Sequence, residues 1–116
     1  MNLFVCYPKC STCNKAKNWL EENNISFEER NIKLNNPTFD ELKEWYLKSG
    51  KEIDSFFNKS GLVYKSLNLK DKLKNMSLEE KLNLLSTDGM LVKRPILITD
   101  NKVLVGFKEE DYKSIL

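Results

Sequence analysis

The sequence predicts an α/β fold: a four-stranded mixed sheet, made of a β-α-β half and a β-β-α half, with helices inserted between the two. Three observations predict it. A short apolar run bounded by Pro8 precedes a stretch with helical spacing and then a second strand-like segment, and two strands joined by a helix form a parallel pair. Near the other end, two apolar runs flank Asp100-Asn101 as the arms of a hairpin would. Between about residues 38 and 89 the apolar positions recur at helical intervals.

Residues 2–7 have the length of a buried strand rather than of a helix. Ser11 or Thr12 can cap a helix over 12–23, whose Cys13, Ala16, Trp19 and Leu20 share one face before Asn23-Asn24 ends it. Residues 25–32 follow as the second strand, with Ile25, Phe27 and Ile32 as its apolar contributions. After Asn36-Pro37, Thr38 caps a helix with Glu41 three residues on. Phe39, Leu42, Trp45, Tyr46 and Leu47 supply its apolar face, and Ser49-Gly50 closes it. A short helix is expected at 53–57 and a turn or two at 63–69. Ser77 with Glu80 forms a capping box for a helix running through Leu78, Leu82 and Leu85 to Asp88-Gly89. Residues 95–99 and 102–107 make the hairpin, and 108–116 form a last helix with acidic residues near its start. This order fits one domain over 1–116, a thioredoxin-like fold with a helical insertion.

Cys10-Ser11-Thr12-Cys13 falls where the first strand hands over to the first helix. Unpaired backbone N–H groups and the macrodipole at a helix N-terminus favour a thiolate, so Cys10 is the expected nucleophile. Cys13, one turn on, is placed to resolve an adduct formed there. Zinc needs about four ligands, whereas this chain has no histidine and only Cys6 besides the pair. A structural disulfide across so short a loop would constrain the unfolded chain little. Cys6, inside the apolar strand, reads as a small buried hydrophobe.

Charged residues make up 31% of the chain and apolar residues 41%, ordinary for a globular protein, and no run reaches the ~20 apolar residues of a membrane span. The first residues lack a basic segment followed by a long apolar stretch, so a cytoplasmic location is expected, where a dithiol is kept reduced and used catalytically. Nineteen Lys and Arg against seventeen Asp and Glu, interleaved, give no support for direct nucleic-acid binding. The Lys65–Lys74 stretch, interrupted by Asp71 and punctuated by Leu67, Leu69 and Leu73, reads as a solvated helix face.

Pro95 opens the third strand, where no ladder N–H is needed, and a cis peptide before it is expected to expose backbone polar groups beside the dithiol. Arg94 is one of only two arginines. Its planar fork suits oxyanion or thiolate pairing, and a surface salt bridge is the alternative. Lys9 and Lys15 flank the dithiol and can add positive potential.

Tyr7-Pro8-Lys9-Cys10-Ser11-Thr12-Cys13-Asn14-Lys15-Ala16, taken with Glu29-Arg30-Asn31-Ile32, Lys93-Arg94-Pro95-Ile96 and Val105-Gly106-Phe107, closely resembles the arsenate reductase (ArsC)-like family, which includes Spx-type regulators. The likeness runs over essentially the whole chain and is nearest to the short CxxC-containing members. It implies a thioredoxin-like fold in which Cys10 attacks the substrate and Arg94 binds an oxyanion; with Cys13 as resolving thiol these make the expected catalytic set, and Lys9, Ser11, Thr12 and Pro95 are the expected substrate contacts. It implies no metal and no bound cofactor, with glutathione, glutaredoxin or thioredoxin as reductant. Glutaredoxin-coupled reductases of this family carry two further oxyanion-binding arginines, and the matching positions here are Asn58 and Gly106. Spx-type regulators continue into a basic tail beyond the position of Leu116. Two functions follow as expectations. One is a thiol oxidoreductase acting on a small oxyanion or a disulfide with a thiol-exchange protein as partner. The other is a redox-sensitive regulator that docks on RNA polymerase.

Overall fold

A computed structural model describes residues 2–116. Four strands, β1 (Asn2–Cys6), β2 (Phe27–Asn31), β3 (Ile96–Ile98) and β4 (Val103–Val105), form one sheet in the order β2-β1-β3-β4. β1 runs parallel to β2, and helix α1 (Ser11–Glu22) makes the crossover; β3 is antiparallel to both β1 and β4. This is the mixed sheet that the sequence predicts. β2 is shorter than the expected 25–32. Asn24 takes a left-handed φ of 57° and the Ile25 N–H is held by the Leu20 carbonyl, so Ile25 belongs to the end of α1 rather than to the sheet.

Between β2 and β3 lie α2 (Phe39–Ser49), α3 (Leu62–Ser66), α4 (Leu69–Lys72) and α5 (Leu78–Thr87), with 3₁₀ turns at Ile53–Phe56, Leu73–Asn75 and Gly89–Leu91. Both predicted capping boxes are present: Thr38 with Glu41 opens α2, and Ser77 with Glu80 opens α5. Leu47 does not join the apolar face of α2. It is 69% exposed, because Leu42 and Trp45 set the buried stripe and position 47 lies round the helix from it. In the lysine-rich stretch, Asn68 at φ 54° breaks α3 from α4. Leu69 and Leu73 turn into the core while Lys65, Lys70, Lys72 and Lys74 stay exposed.

The two-residue periodicity of the strands divides the interior into two faces. Phe4, Cys6 and Leu97 pack with Cys13, Ala16, Trp19 and Leu20 of α1, and with Tyr112 of the last helix, α6 (Glu109–Lys113). Val5 and Ile96 point the other way, into Ile32, Leu42, Trp45, Phe56, Leu82 and Leu85 of the insertion and its approach. Each fully buried Leu or Phe contributes about 1.5–3 kcal/mol to this arrangement. Gly89 packs against the backbone just after β2: a Cβ there would lie 1.8 Å from the Ile32 carbonyl oxygen, so only glycine fits.

Arg30 locks the sheet edge to α2. Its Nη1 and Nη2 donate to Glu41 Oε2 (2.6 Å) and Oε1 (2.9 Å), its Nε donates to the Asn35 carbonyl, and its guanidinium lies 5.9 Å from the Trp45 ring centroid. Glu41 is in consequence held down at about 2, chiefly by Arg30. This arginine is fully occupied by the fold. Among the described residues, no helix is long and apolar enough to cross a membrane.

Candidate functional site

After β1 the chain turns through residues 7–10, with the Cys10 N–H donating to the Tyr7 carbonyl at 3.0 Å, and enters α1 at Ser11. Cys10 is itself the N-cap, with extended φ,ψ of −93° and 118°, and its Sγ accepts the Cys13 backbone N–H at 3.4 Å. The expectation that Ser11 or Thr12 would cap this helix is therefore corrected. The helix begins one residue earlier, and the acceptor that meets its free N–H is a sulfur rather than a hydroxyl.

Position separates the three thiols. Burial raises the Cys10 pKa. The Cys13 N–H, the Cys13 thiol and the Arg94 guanidinium stabilise its anion more strongly and bring it below the usual 9.0. Burial pushes Cys13 up to about 12, against the opposing Tyr7 N–H, which reaches its Sγ at 3.4 Å. Burial pushes Cys6 up to about 11. All three are free thiols, Cys10 half-buried and the others buried. The arrangement thus offers one accessible thiolate with a protonated partner directly behind it.

Arg94 faces the dithiol from the start of the second half of the fold. The Lys93 N–H donates to the Phe56 carbonyl at 2.7 Å, which ties this segment to the insertion, and the Arg94–Pro95 peptide is cis, as expected. The guanidinium lies 5.2 Å from the Tyr7 ring centroid, and Nη1 meets the Met90 sulfur at 4.0 Å. Its Nε is shielded from solvent without a hydrogen-bond partner, and no carboxylate pairs with Arg94 among the described residues. The surface salt-bridge alternative is thereby excluded. Unlike Arg30, Arg94 retains donors for a ligand.

Cys10 and Arg94 open into a cleft of about 760 Å³ between the insertion, the β4–α6 connection and the start of α1. Thr12 lines it, as do Asn58 and Gly106, the positions matched above to oxyanion-binding arginines. Gly106 has φ 77°, a backbone conformation that side chains rarely adopt, and the Lys93 side chain passes 3.0 Å from where its Cβ would be.

With the fold and the site in view, comparison with known proteins places the chain. Residues 6–115 match the ArsC family. The chain belongs to the ArsC family. Among solved structures, it superposes on an ArsC family related protein from Bacteroides fragilis with a TM-score of 0.98 at 52% identity, covering 99% of this chain and 97% of that one. Among curated proteins, it is 51% identical over 110 residues to the uncharacterized protein YusI of Bacillus subtilis, covering 95% and 93% of the two chains. It is 31% identical over 107 residues to the global transcriptional regulator Spx 2 of Bacillus anthracis, covering 92% of this chain and 80% of that one.

The structure brings Cys10, Cys13, Thr12 and Arg94 together, with Pro95 buried next to them, while Lys9 and Ser11 are exposed and do not line the cleft. It also adds residues that sequence reasoning missed. Lys51, Lys59, Lys93 and Lys108 all line the cleft, and they come from segments too far apart in the chain for spacing to connect them. Among the described residues, no group of three or more His, Cys, Asp or Glu is placed to hold a metal ion.

Proposed function

We propose that this ArsC family protein is a cytoplasmic thiol–disulfide oxidoreductase with Cys10 as nucleophile and Cys13 as resolving thiol. The observation that carries the reading is the split between two adjacent thiols: Cys10 is accessible and stabilised as an anion, whereas Cys13 is buried and kept protonated. The Cys10 thiolate attacks one sulfur of a substrate disulfide. The Cys10–substrate S–S bond forms as the substrate S–S bond breaks, and the departing thiolate takes a proton from solvent. Cys13 then loses its proton and attacks Cys10 Sγ, which expels the second substrate thiol and leaves a Cys10–Cys13 disulfide. The substrate has gained two electrons from the dithiol, and glutathione, glutaredoxin or thioredoxin returns them. Arg94 holds negative charge at the reacting sulfur throughout.

Arsenate is the competing substrate for the same residues. Disulfide chemistry fits better, because one guanidinium remains where related reductases have three, and lysine ammonium groups do not reproduce bidentate forks. A regulatory reading is supported by the 31% identity to Spx 2 of Bacillus anthracis, with the Cys10–Cys13 redox state altering a surface that docks on RNA polymerase. One experiment separates the two: a Cys13→Ser variant, which cannot resolve its adduct, is used to trap partners from cell extract. Recovery of disulfide-linked thiol-exchange partners, released by reductant, is the expected result. Recovery of RNA polymerase without a disulfide link would favour the regulator.

A further inference from the structure

We propose that the substrate of this site is a disulfide flanked by carboxylates, recognised by a collar of four lysines, Lys51, Lys59, Lys93 and Lys108, around Cys10 and Arg94. The inference rests on the assignment of Cys10 as nucleophile and specifies what that nucleophile meets.

Charge is the first argument. The cleft is lined by these four lysines and Arg94, against a single acid, Asp111. The whole chain is only +2, so outside the cleft acidic residues outnumber basic ones and the positive potential is gathered at the dithiol. Outside the cleft three lysines are ion-paired, Lys17 with Glu29, Lys48 with Glu44 and Lys81 with Asp54. None of the four collar lysines has an ion pair among the described residues. Unpaired like charges around one pocket repel one another, and an anionic ligand relieves that repulsion.

Size and chemistry supply the rest. A volume of about 760 Å³ is that of a site for an organic molecule or a short peptide segment, far larger than a tetrahedral oxyanion needs. Val105 and Phe107, both only partly buried, give it apolar wall for the carbon skeleton of such a ligand. Lysine is a mobile point charge on a flexible stem, which suits carboxylates spread around a sulfur rather than one planar anion held in a fixed fork. The reaction is the exchange written above: Cys10 takes one sulfur, Cys13 displaces it, and both substrate thiols leave reduced.

The test measures single-turnover rates of the reduced protein with three disulfides: 5,5′-dithiobis(2-nitrobenzoate), which carries a carboxylate on each ring, neutral 2,2′-dithiodipyridine and cationic cystamine. Each rate is divided by that of N-acetylcysteinamide with the same disulfide, to remove intrinsic reactivity. Each is also normalised to alkylation by neutral iodoacetamide, which reports thiolate availability alone. The expected result is an anionic-over-neutral preference of about tenfold at low salt that shrinks as salt screens it, and a cationic disulfide disfavoured below both. In Lys59→Glu/Lys108→Glu the normalised preference should disappear. Glutathione disulfide and a Glu-Cys-Glu peptide disulfide, run side by side, tell whether the carboxylates arrive on a small molecule or on a chain segment. Equal normalised rates for the three probes, or a preference that survives the double charge reversal, would overturn the collar and leave the oxidoreductase reading standing. Failure of Cys10 to react with any disulfide would remove both.

Discussion

Replacing Tyr112 by Phe should make this protein more stable. Tyr112 is fully buried, and its ring packs edge-on against Trp19 (centroids 5.6 Å apart) and Phe107 (4.8 Å), joining α6 to α1 and to the end of the hairpin. Its hydroxyl is buried without a hydrogen-bond partner among the described residues. Burial raises its pKa, so it stays protonated and carries the full cost of lost hydration. An unsatisfied buried polar group costs about 1–3 kcal/mol. Phenylalanine keeps both ring contacts and removes that cost, so a gain of about 1 kcal/mol or more is expected. For a chain of this length such a gain corresponds to a rise in Tm of about 3–6 °C. Urea unfolding of the reduced protein, followed by far-ultraviolet circular dichroism, should show a higher midpoint at unchanged slope, the signature of altered stability without altered compactness. A loss of 1 kcal/mol or more would refute the reasoning, since it would mean that the hydroxyl is satisfied in the folded state.

Gly89→Ala should have the opposite effect, because the added Cβ would lie 1.8 Å from the Ile32 carbonyl oxygen, a backbone atom that cannot swing aside. A loss of about 3 kcal/mol or more, or no soluble folded protein, is expected in the same urea assay. The Arg30–Glu41 pair should shape the acid limb of stability. Glu41 titrates at about 2 when folded and at 4.5 when unfolded, so the stabilisation is complete above 4.5 and is lost as pH falls from about 4.5 toward 2. Unfolding in that window should take up a proton, and Arg30→Met should reduce that uptake, the Thr38 cap leaving a remainder; an acid limb unchanged by the substitution would contradict the assignment.

Local signals carried most of the fold. Strand–helix alternation, the two capping boxes and the Asp100-Asn101 tip are all short-range patterns, and each is present where the sequence puts it. Errors arose where tertiary context decided the outcome. Ile25 is apolar like a strand residue but is held by Leu20 at the end of α1, and Leu47 is apolar yet lies off the stripe set by Leu42 and Trp45. α1 starts one residue before the capping pattern puts it, because hydroxyl-based capping rules overlook a cysteine sulfur that accepts the helix N–H. The dithiol and Arg94 were legible from their motifs. The lysines around them were not, since Lys51, Lys59, Lys93 and Lys108 become neighbours only when the insertion folds over the sheet. The motif singles out Arg94 but does not show what separates the two arginines physically: Arg30 is consumed by Glu41 and backbone carbonyls, whereas Arg94 is left without an acidic partner among the described residues.

In the proposed mechanism Cys10 alone is poised as a thiolate, through the N-terminus of α1 and Arg94, in a chain with no histidine to act as base. Peptide mapping after limiting iodoacetamide, repeated across pH, tests it most directly. Cys10 should be labelled first and at lower pH than an ordinary thiol, with Cys13 and Cys6 unlabelled in the folded protein. Cys10 labelling should be slower in Arg94→Ala and partly recover in Arg94→Lys. Labelling of Cys13 or Cys6 ahead of Cys10, or a Cys10 rate indifferent to the charge at position 94, would contradict it.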